Sequence, residues 1–297
     1  MMRIRGLIHM IELDNKIIGI RNYRKIEFFY FQNSQMNVFK RYLYIGNWID
    51  LEFDDTKMVR RGPYLAYVIS YVNRLEAQGL HDHIVYYDKR DITSSLYEFL
   101  GSLENTMFLD LEMTMPPYNF KGKGFRTEVI QAGFIIFDKT GEEIMRYSNF
   151  VEPKLTKTLS KRAENFLGIT NSEFENSRIP YEKFYEDFKK VIEEYNPAIV
   201  VYGRNDILVL NDSYEINNVP SLKNKTRYVN LCQLIKTHYE LRNDPGLFKL
   251  FQIYYDNEDI QVHDAFNDSE VTAKVFEAFR EDILYKTKTD EIKESFD

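Results

Sequence analysis

In NTMFLDLEM, residues 105–113, an apolar run is interrupted twice by acid, at Asp110 and Glu112. Alternate residues of a strand share a face, so both carboxylates would point one way and Leu111 the other. Two like charges side by side on a half-buried surface are unfavourable unless a cation sits between them. Such a segment is either a strand built around a site or a frayed strand end carrying two solvated acids. The rest of the chain decides between these.

The 297 residues allow about two domains. Charge is spread unevenly. Residues 1–49 carry eight Lys and Arg against three Asp and Glu, whereas residues 106–297 carry 25 against 33. The basic end is interleaved with Tyr23, Phe28, Phe29, Tyr30 and Phe31. Two modules with different tasks are expected. In the first, RIRGLIHMIEL, KIIGIRN and KIEFFYFQ read as strands, and SQMNVFKRYL as a helix with Ser34 as its cap. GNWIDLEFDD reads as a fourth strand. YLAYVISYVNRL reads as a fifth, although its spacing also suits a helix. Three strands, a helix and two strands is the order of an OB-fold, a small barrel that often binds single strands and elsewhere makes plain protein contacts.

The second module alternates differently. After NTMFLDLEMT, the segments TEVIQAGFIIFD and EEIMRYSNFVEP read as strands joined by a turn at DKTG. LSKRAENFLGI and YEKFYEDFKKVIEEY read as helices, PAIVVYGRND as a strand, RYVNLCQLI as another, and HDAFNDSEVTAKVFEAF as a last helix. This order predicts a mixed α/β sheet with helices on its faces. Asp206 falls just past a strand end, and Asp268 lies in the final helix, five residues after His263. Singly, Asp206 suits a helix cap, and Asp268 and His263 a solvated helix face. Together with Asp110 and Glu112 they are a hard oxygen-ligand set for two Mg²⁺ or Mn²⁺ ions, with His263 as a base at neutral pH.

The pattern D-x-E-x-T (Asp110, Glu112, Thr114), the strand VVYGRND ending at Asp206 and the H-x₄-D of HDAFND follow one another in order over residues 106–280. This segment resembles the DEDDh 3′–5′ exonucleases, the DnaQ-like branch of the RNase H-like fold. MTMPPYNFKGKGFRTEVIQAG further resembles the Eri-type RNA 3′-end exonucleases and the KapD group, which favours RNA over DNA. The resemblance implies that Asp110, Glu112, Asp206 and Asp268 hold two Mg²⁺ or Mn²⁺ ions at the 3′-terminal phosphodiester. It also implies that His263 takes a proton from the attacking water and that nucleoside 5′-monophosphates are released. NFLGIT, residues 165–170, is similar to a family segment that contacts the terminal nucleotide. Leu167 and Ile169 are accordingly candidate contacts to the last base, or core residues. Met113, Thr114, Arg204 and Asn205 are further candidate substrate contacts, although Met113 stands where the family often has a small or polar residue. Lys121, Lys123 and Arg126 would guide the strand. Tyr255 and Asp259 fit the Y-x₃-D of the sister Tyr-dependent branch, but YYDNEDIQ has the composition of an acidic loop.

The expected layout is an OB-like module over 1–76, a partly helical connector over 77–105, an exonuclease domain over 106–285 and a charged tail over 286–297. In the first module Arg21, Arg24, Lys25, Phe28 and Tyr30 are candidates for holding single-stranded nucleic acid upstream of the trimmed end. A catalytically silent DnaQ-like interaction module is the competing function, disfavoured because all five catalytic positions are filled. The single Cys232 excludes an intrachain disulfide and a multi-Cys zinc site. With no apolar run of membrane length and no secretory leader, a cytoplasmic protein is expected. Protein partners are not legible.

Overall fold

The alternating residues at the N-terminus form three antiparallel strands, β1 (Met2–Glu12), β2 (Ile17–Asn22) and β3 (Lys25–Tyr30). The structure is a computed structural model that describes residues 2–22, 25–78, 83–122, 124–241, 243–256 and 263–296. The chain divides into two units, Met1–Leu96 and Tyr97–Asp297, each with its own core.

In the first unit β3 is followed by α1 (Asn33–Phe39), β4 (Trp48–Arg61), β5 (Tyr64–Gln78) and β6 (His83–Asp88). The sheet order is β3-β2-β1-β4-β5-β6, and β3 also pairs in parallel with β5 through Phe29↔Tyr67 and Tyr30↔Val68. That pairing closes β1–β5 into the OB-like barrel. Helix α1 begins one residue before Ser34, and Gln35 accepts a hydrogen bond from the Gln32 N–H at 3.0 Å. The ambiguity of YLAYVISYVNRL has a physical origin. Register shifts leave Ser70 and Asn73 without a partner on β4, so the buried residues that β5 gives to the barrel core fall three apart, at Ile69, Val72 and Leu75. Bulges thereby imitate a helical period. Within 77–105, read as a connector, β6 pairs antiparallel with β5 and α2 (Lys89–Gly101) follows.

The second unit contains β7 (Thr106–Met113), β8 (Val129–Phe137), β9 (Glu143–Phe150), α3 (Lys161–Leu167), α4 (Asn171–Ser177), α5 (Tyr181–Tyr195) and β10 (Ala198–Val201). They are followed by α6 (Asn205–Asn217), β11 (Arg227–Asn230), α7 (Leu231–Tyr239), α8 (Leu247–Tyr255), α9 (Ala265–Tyr285) and α10 (Thr289–Phe296). The sheet runs β11-β10-β7-β8-β9, with β10 parallel to its neighbours β7 and β11, and β8 antiparallel to its neighbours β7 and β9. This is the RNase H-like mixed sheet expected. Met107, Leu109 and Leu111 of β7 join the core of α5 and α6 on one face. On the other, Phe108 meets Phe276 of α9 edge-on at 5.2 Å. Central β7 is thus covered on both sides, and its C-terminal end carries the acids.

Two expectations are corrected. RYVNLCQLI is a strand only to Asn230, whose side chain accepts from the Gln233 N–H at 3.0 Å and starts α7. The charged tail folds into α10, with Ile292 fully buried. Buried Asp282 secures it by accepting from the Tyr239 hydroxyl at 2.7 Å, the Lys288 N–H at 2.6 Å and the Thr289 hydroxyl at 2.8 Å. No helix of the described residues is long and apolar enough to cross a membrane.

Candidate active site

Asp110 and Glu112 share the face of β7 that is turned towards α9, as strand alternation requires. Opposite them in register on β8 stand Gly133 and Gln131. A Cβ at Gly133 would lie 2.2 Å from Phe266 N and 2.3 Å from Ala265 C, so only glycine lets the start of α9 rest on the sheet here. Buried Gln131 then ties the helix down. Its amide donates to Asp264 Oδ2 at 2.6 Å, and its Oε1 accepts from the Ala265 N–H at 3.3 Å. Asp264 caps α9 through the Asn267 N–H at 3.0 Å. Asp268, one turn further on, is thereby fixed against β7.

Asp206 comes from the other side of the sheet centre. It lies in the first turn of α6, just beyond β10, and its Oδ1 accepts from the Leu111 N–H at 3.1 Å. His263 immediately precedes the cap residue of α9. One ligand atom each from Glu112, His263 and Asp268 lie within 4.8 Å of one another. Glu112, Asp206 and Asp268 are only 8, 7 and 6% exposed.

Such packing makes full ionisation unfavourable. Burial pushes the Asp110 carboxyl well above its ordinary value, and Asp206, Asp268, Glu112 and Asp264 add to the rise. Glu112 is held at about 7, mainly by burial and then by Asp268 and Asp206. Asp206 rises to about 6 through burial, despite the stabilising hydrogen bond from Leu111. Burial lowers His263, which keeps its imidazole neutral and able to accept a proton. Hard oxygen donors that repel one another in a buried cluster fit Mg²⁺ or Mn²⁺, whose charge removes the opposition.

The remaining candidates divide. Arg204 and Asn205 are exposed at the start of α6, beside Asp206. Leu167 and Ile169 are half-buried, packed against the cluster of Ile130, Leu159, Ala163 and Phe174. Met113 packs against the main core. Thr114 is buried, and its hydroxyl accepts from the Glu128 N–H at 2.9 Å. Arg126 pairs with Glu215 at 3.3 Å, and Lys121 is exposed. Lys123 and Asp259 lie outside the described residues. Tyr255 is the last residue of α8, and its hydroxyl donates to Lys274 O at 3.0 Å. In the first unit, Phe28 lies 5.0 Å from Tyr64, and Arg61 covers Tyr30 at 4.7 Å. Arg21 and Lys25 are exposed, whereas Arg24 and Tyr23 lie outside the described residues. Phe29 and Phe31 are barrel core. Arg3 and Arg5 are bound to Asp50 and Glu76, so part of the basic excess is matched internally.

Sequence reasoning missed Gln131, Gly133, Asp264 and Phe166. The first two were discoverable from the hairpin, which sets them opposite the acid-bearing strand. Asp264 has the residue type of a helix cap. Phe166 of α3 lies flat on His263, with ring centroids 3.8 Å apart and planes 23° apart.

The RNase_T exonuclease family matches residues 107–276. The probable 3′–5′ exonuclease KapD of Bacillus subtilis (strain 168) is 29% identical over 183 residues, 61% of this chain and 87% of that protein. The chain superposes on cell-death related nuclease 4 (CRN-4) with a TM-score of 0.51 and 21% identity, covering 61% of this chain and 64% of the other. It superposes on the nuclease domain of 3′hExo, a DEDDh family member, with a TM-score of 0.51 and 15% identity, covering 63% and 95%. At these identities the two structures speak for the fold.

Proposed function

The chain belongs to the RNase_T exonuclease family and carries that family's 3′–5′ exonuclease domain; on that premise we propose that it trims single-stranded nucleic acid from the 3′ end, RNA ahead of DNA, with two Mg²⁺ or Mn²⁺ ions. The observation that carries the reading is the crowding of acids at one end of β7: ligand atoms of Glu112, His263 and Asp268 lie within 4.8 Å of one another, and burial, with Asp268 and the other acids nearby, raises the carboxyls of Asp110, Glu112 and Asp206. Asp110, Glu112, Asp206 and Asp268 would hold the two ions, which would supply the positive charge that lets the carboxylates ionise together, acidify a water and stabilise the leaving oxygen.

The protein's own groups do the rest. His263 accepts a proton from the attacking water on an imidazole nitrogen. Oxygen adds to phosphorus as the bond to the upstream 3′ oxygen breaks, in line. That oxygen takes up a proton from solvent to become the 3′-hydroxyl of the shortened strand, and the excised nucleotide keeps its phosphate as a nucleoside 5′-monophosphate. Arg204 and Asn205, exposed beside Asp206, are proposed backbone contacts, and Leu167 and Ile169 contacts to the last base. Met113, packed against the main core, and Thr114, joined to the Glu128 N–H, are proposed to support the site through packing rather than to touch substrate.

In the first unit, Phe28 and Tyr30 with Arg21 and Lys25 are proposed to bind a single strand by stacking and charge. RNA is favoured by the resemblance of residues 113–133 to the RNA 3′-end group, and a cytoplasmic setting by the single cysteine. The test is a digest of matched 3′- and 5′-labelled RNA and DNA oligonucleotides with Mg²⁺, Mn²⁺ or EDTA. Stepwise 3′ loss, faster on RNA and abolished by EDTA and by Asp110→Ala, is expected. Binding without cleavage by the folded protein would instead mark a silent module.

A further inference from the structure

His263 has neighbours on two sides. Its nitrogen edge is turned to Glu112 and Asp268, within 4.8 Å. One face of its ring is covered by Phe166 at 3.8 Å and 23°. Phe166 sits on a helix that is fastened independently of α9. Ser160 caps α3 by accepting from the Ala163 N–H at 3.2 Å, and Gly168 ends it in the left-handed conformation, at φ 67°. The Asn171 side chain accepts from the Leu159 N–H at 2.6 Å and donates to Leu159 O and Glu164 Oε1, both at 3.0 Å. Ala163 and Leu167 pack on Ile130 and Phe174. The loop leading to α3 is pinned too, since the buried Glu128 carboxylate accepts from the N–H groups of Lys154, Leu155 and Thr156 at 2.6–3.0 Å. A 36% exposed Phe on so firm a mount has no core to fill by itself.

We infer that Phe166 is a positioning residue for His263: its ring, carried on the separately anchored α3, sets the plane of the imidazole so that a nitrogen faces the carboxylate cluster. The inference rests on the exonuclease reading and goes beyond it. A well-placed base contributes about 10²- to 10⁴-fold to rate, and a misplaced one forfeits part of that. Phe166→Ala is therefore expected to lower kcat roughly 10- to 100-fold with little change in KM, and Phe166→Tyr to restore most of it.

The discriminating experiment is a double-mutant cycle with His263→Ala on a short RNA, joined to NMR of the His263 ring protons in the full chain. If Phe166 acts through His263, Phe166→Ala costs less than about twofold once the imidazole is gone. The wild-type ring protons should show an upfield ring-current shift that Phe166→Leu removes and Phe166→Tyr retains. An equal loss in both backgrounds, or a loss in KM, would assign Phe166 to the substrate and overturn the inference while leaving the exonuclease intact. An absent ring-current shift would overturn it without reference to activity. A wild type with the stack intact but no nuclease activity would instead remove the exonuclease reading. Thermal midpoints of the variants within a few degrees of wild type certify folding.

Discussion

Glu112→Gln should make the metal-free protein more stable while disabling it. Glu112 is held at about 7 in the folded chain against an ordinary 4.5, mainly by burial and then by Asp268 and Asp206. A carboxyl raised in this way binds more protons folded than unfolded, so between about pH 4.5 and 7 the native state loses stability as pH rises. At about 1.4 kcal/mol per pH unit, the full penalty above pH 7 is roughly 3 kcal/mol. Glutamine keeps the shape and removes the charge. In EDTA at pH 8 the variant should be more stable by roughly 3 kcal/mol, a rise in Tm of about 6–12 °C for a unit of this size. Near pH 4 the two proteins should coincide, because Glu112 is protonated in both states. Saturating Mg²⁺ should reverse the order, since the ion binds only the native wild-type cluster tightly. The assay is thermal unfolding followed by tyrosine near-ultraviolet circular dichroism at pH 4, 6 and 8. Fluorescence of the single Trp48, in the other unit, is the control for buffer effects. A variant no more stable than wild type at pH 8 in EDTA, or a gain independent of pH, would refute the reasoning.

Three further outcomes are expected. Gly133→Ala must displace the start of α9, which carries Asp268, because its Cβ would meet backbone at 2.2 Å; activity should fall more than about 100-fold with the protein still folded by circular dichroism. Asp282→Ala removes the acceptor that secures α10 and should cost about 2–4 kcal/mol in urea unfolding, with near-normal turnover at 25 °C. Phe28→Ala with Tyr30→Ala should weaken binding to long single strands more than to dinucleotides in fluorescence anisotropy; Phe29 must be left alone because it is barrel core.

What the chain disclosed in advance follows the range of the interactions involved. The acids on β7 were legible because a period of two is local, and the amphipathic α5 because a period of 3.6 is local. β5 was ambiguous because its bulges at Ser70 and Asn73 space its inward residues by three, and bulges are set by pairing with β4. Helix α10 passed for a tail because its anchor, Asp282, reaches it through tertiary hydrogen bonds. At the candidate site, Asp110, Glu112, Asp206, His263 and Asp268 were singled out by motif order, and the fold brings Glu112, His263 and Asp268 to within ligand distance of one another and sets Asp206 against Leu111. Their supports could not be singled out in this way. Gly133 matters only because α9 touches it, and Phe166 only because α3 brings it over an imidazole 97 residues away in sequence. Likewise Phe28 and Phe29 are adjacent in the aromatic run, yet one faces outward and the other fills the barrel.

The most direct test of the central claim is calorimetric titration of Mn²⁺ into the EDTA-stripped protein at pH 6.5, repeated in buffers of different ionisation enthalpy to count protons. Carboxyls held up by burial and by neighbouring acids must lose protons when a cation binds them. Binding accompanied by release of at least one proton per chain, with both lost in Asp110→Ala, is the result predicted. Binding without proton release, or binding unaltered in Asp110→Ala, would contradict the account.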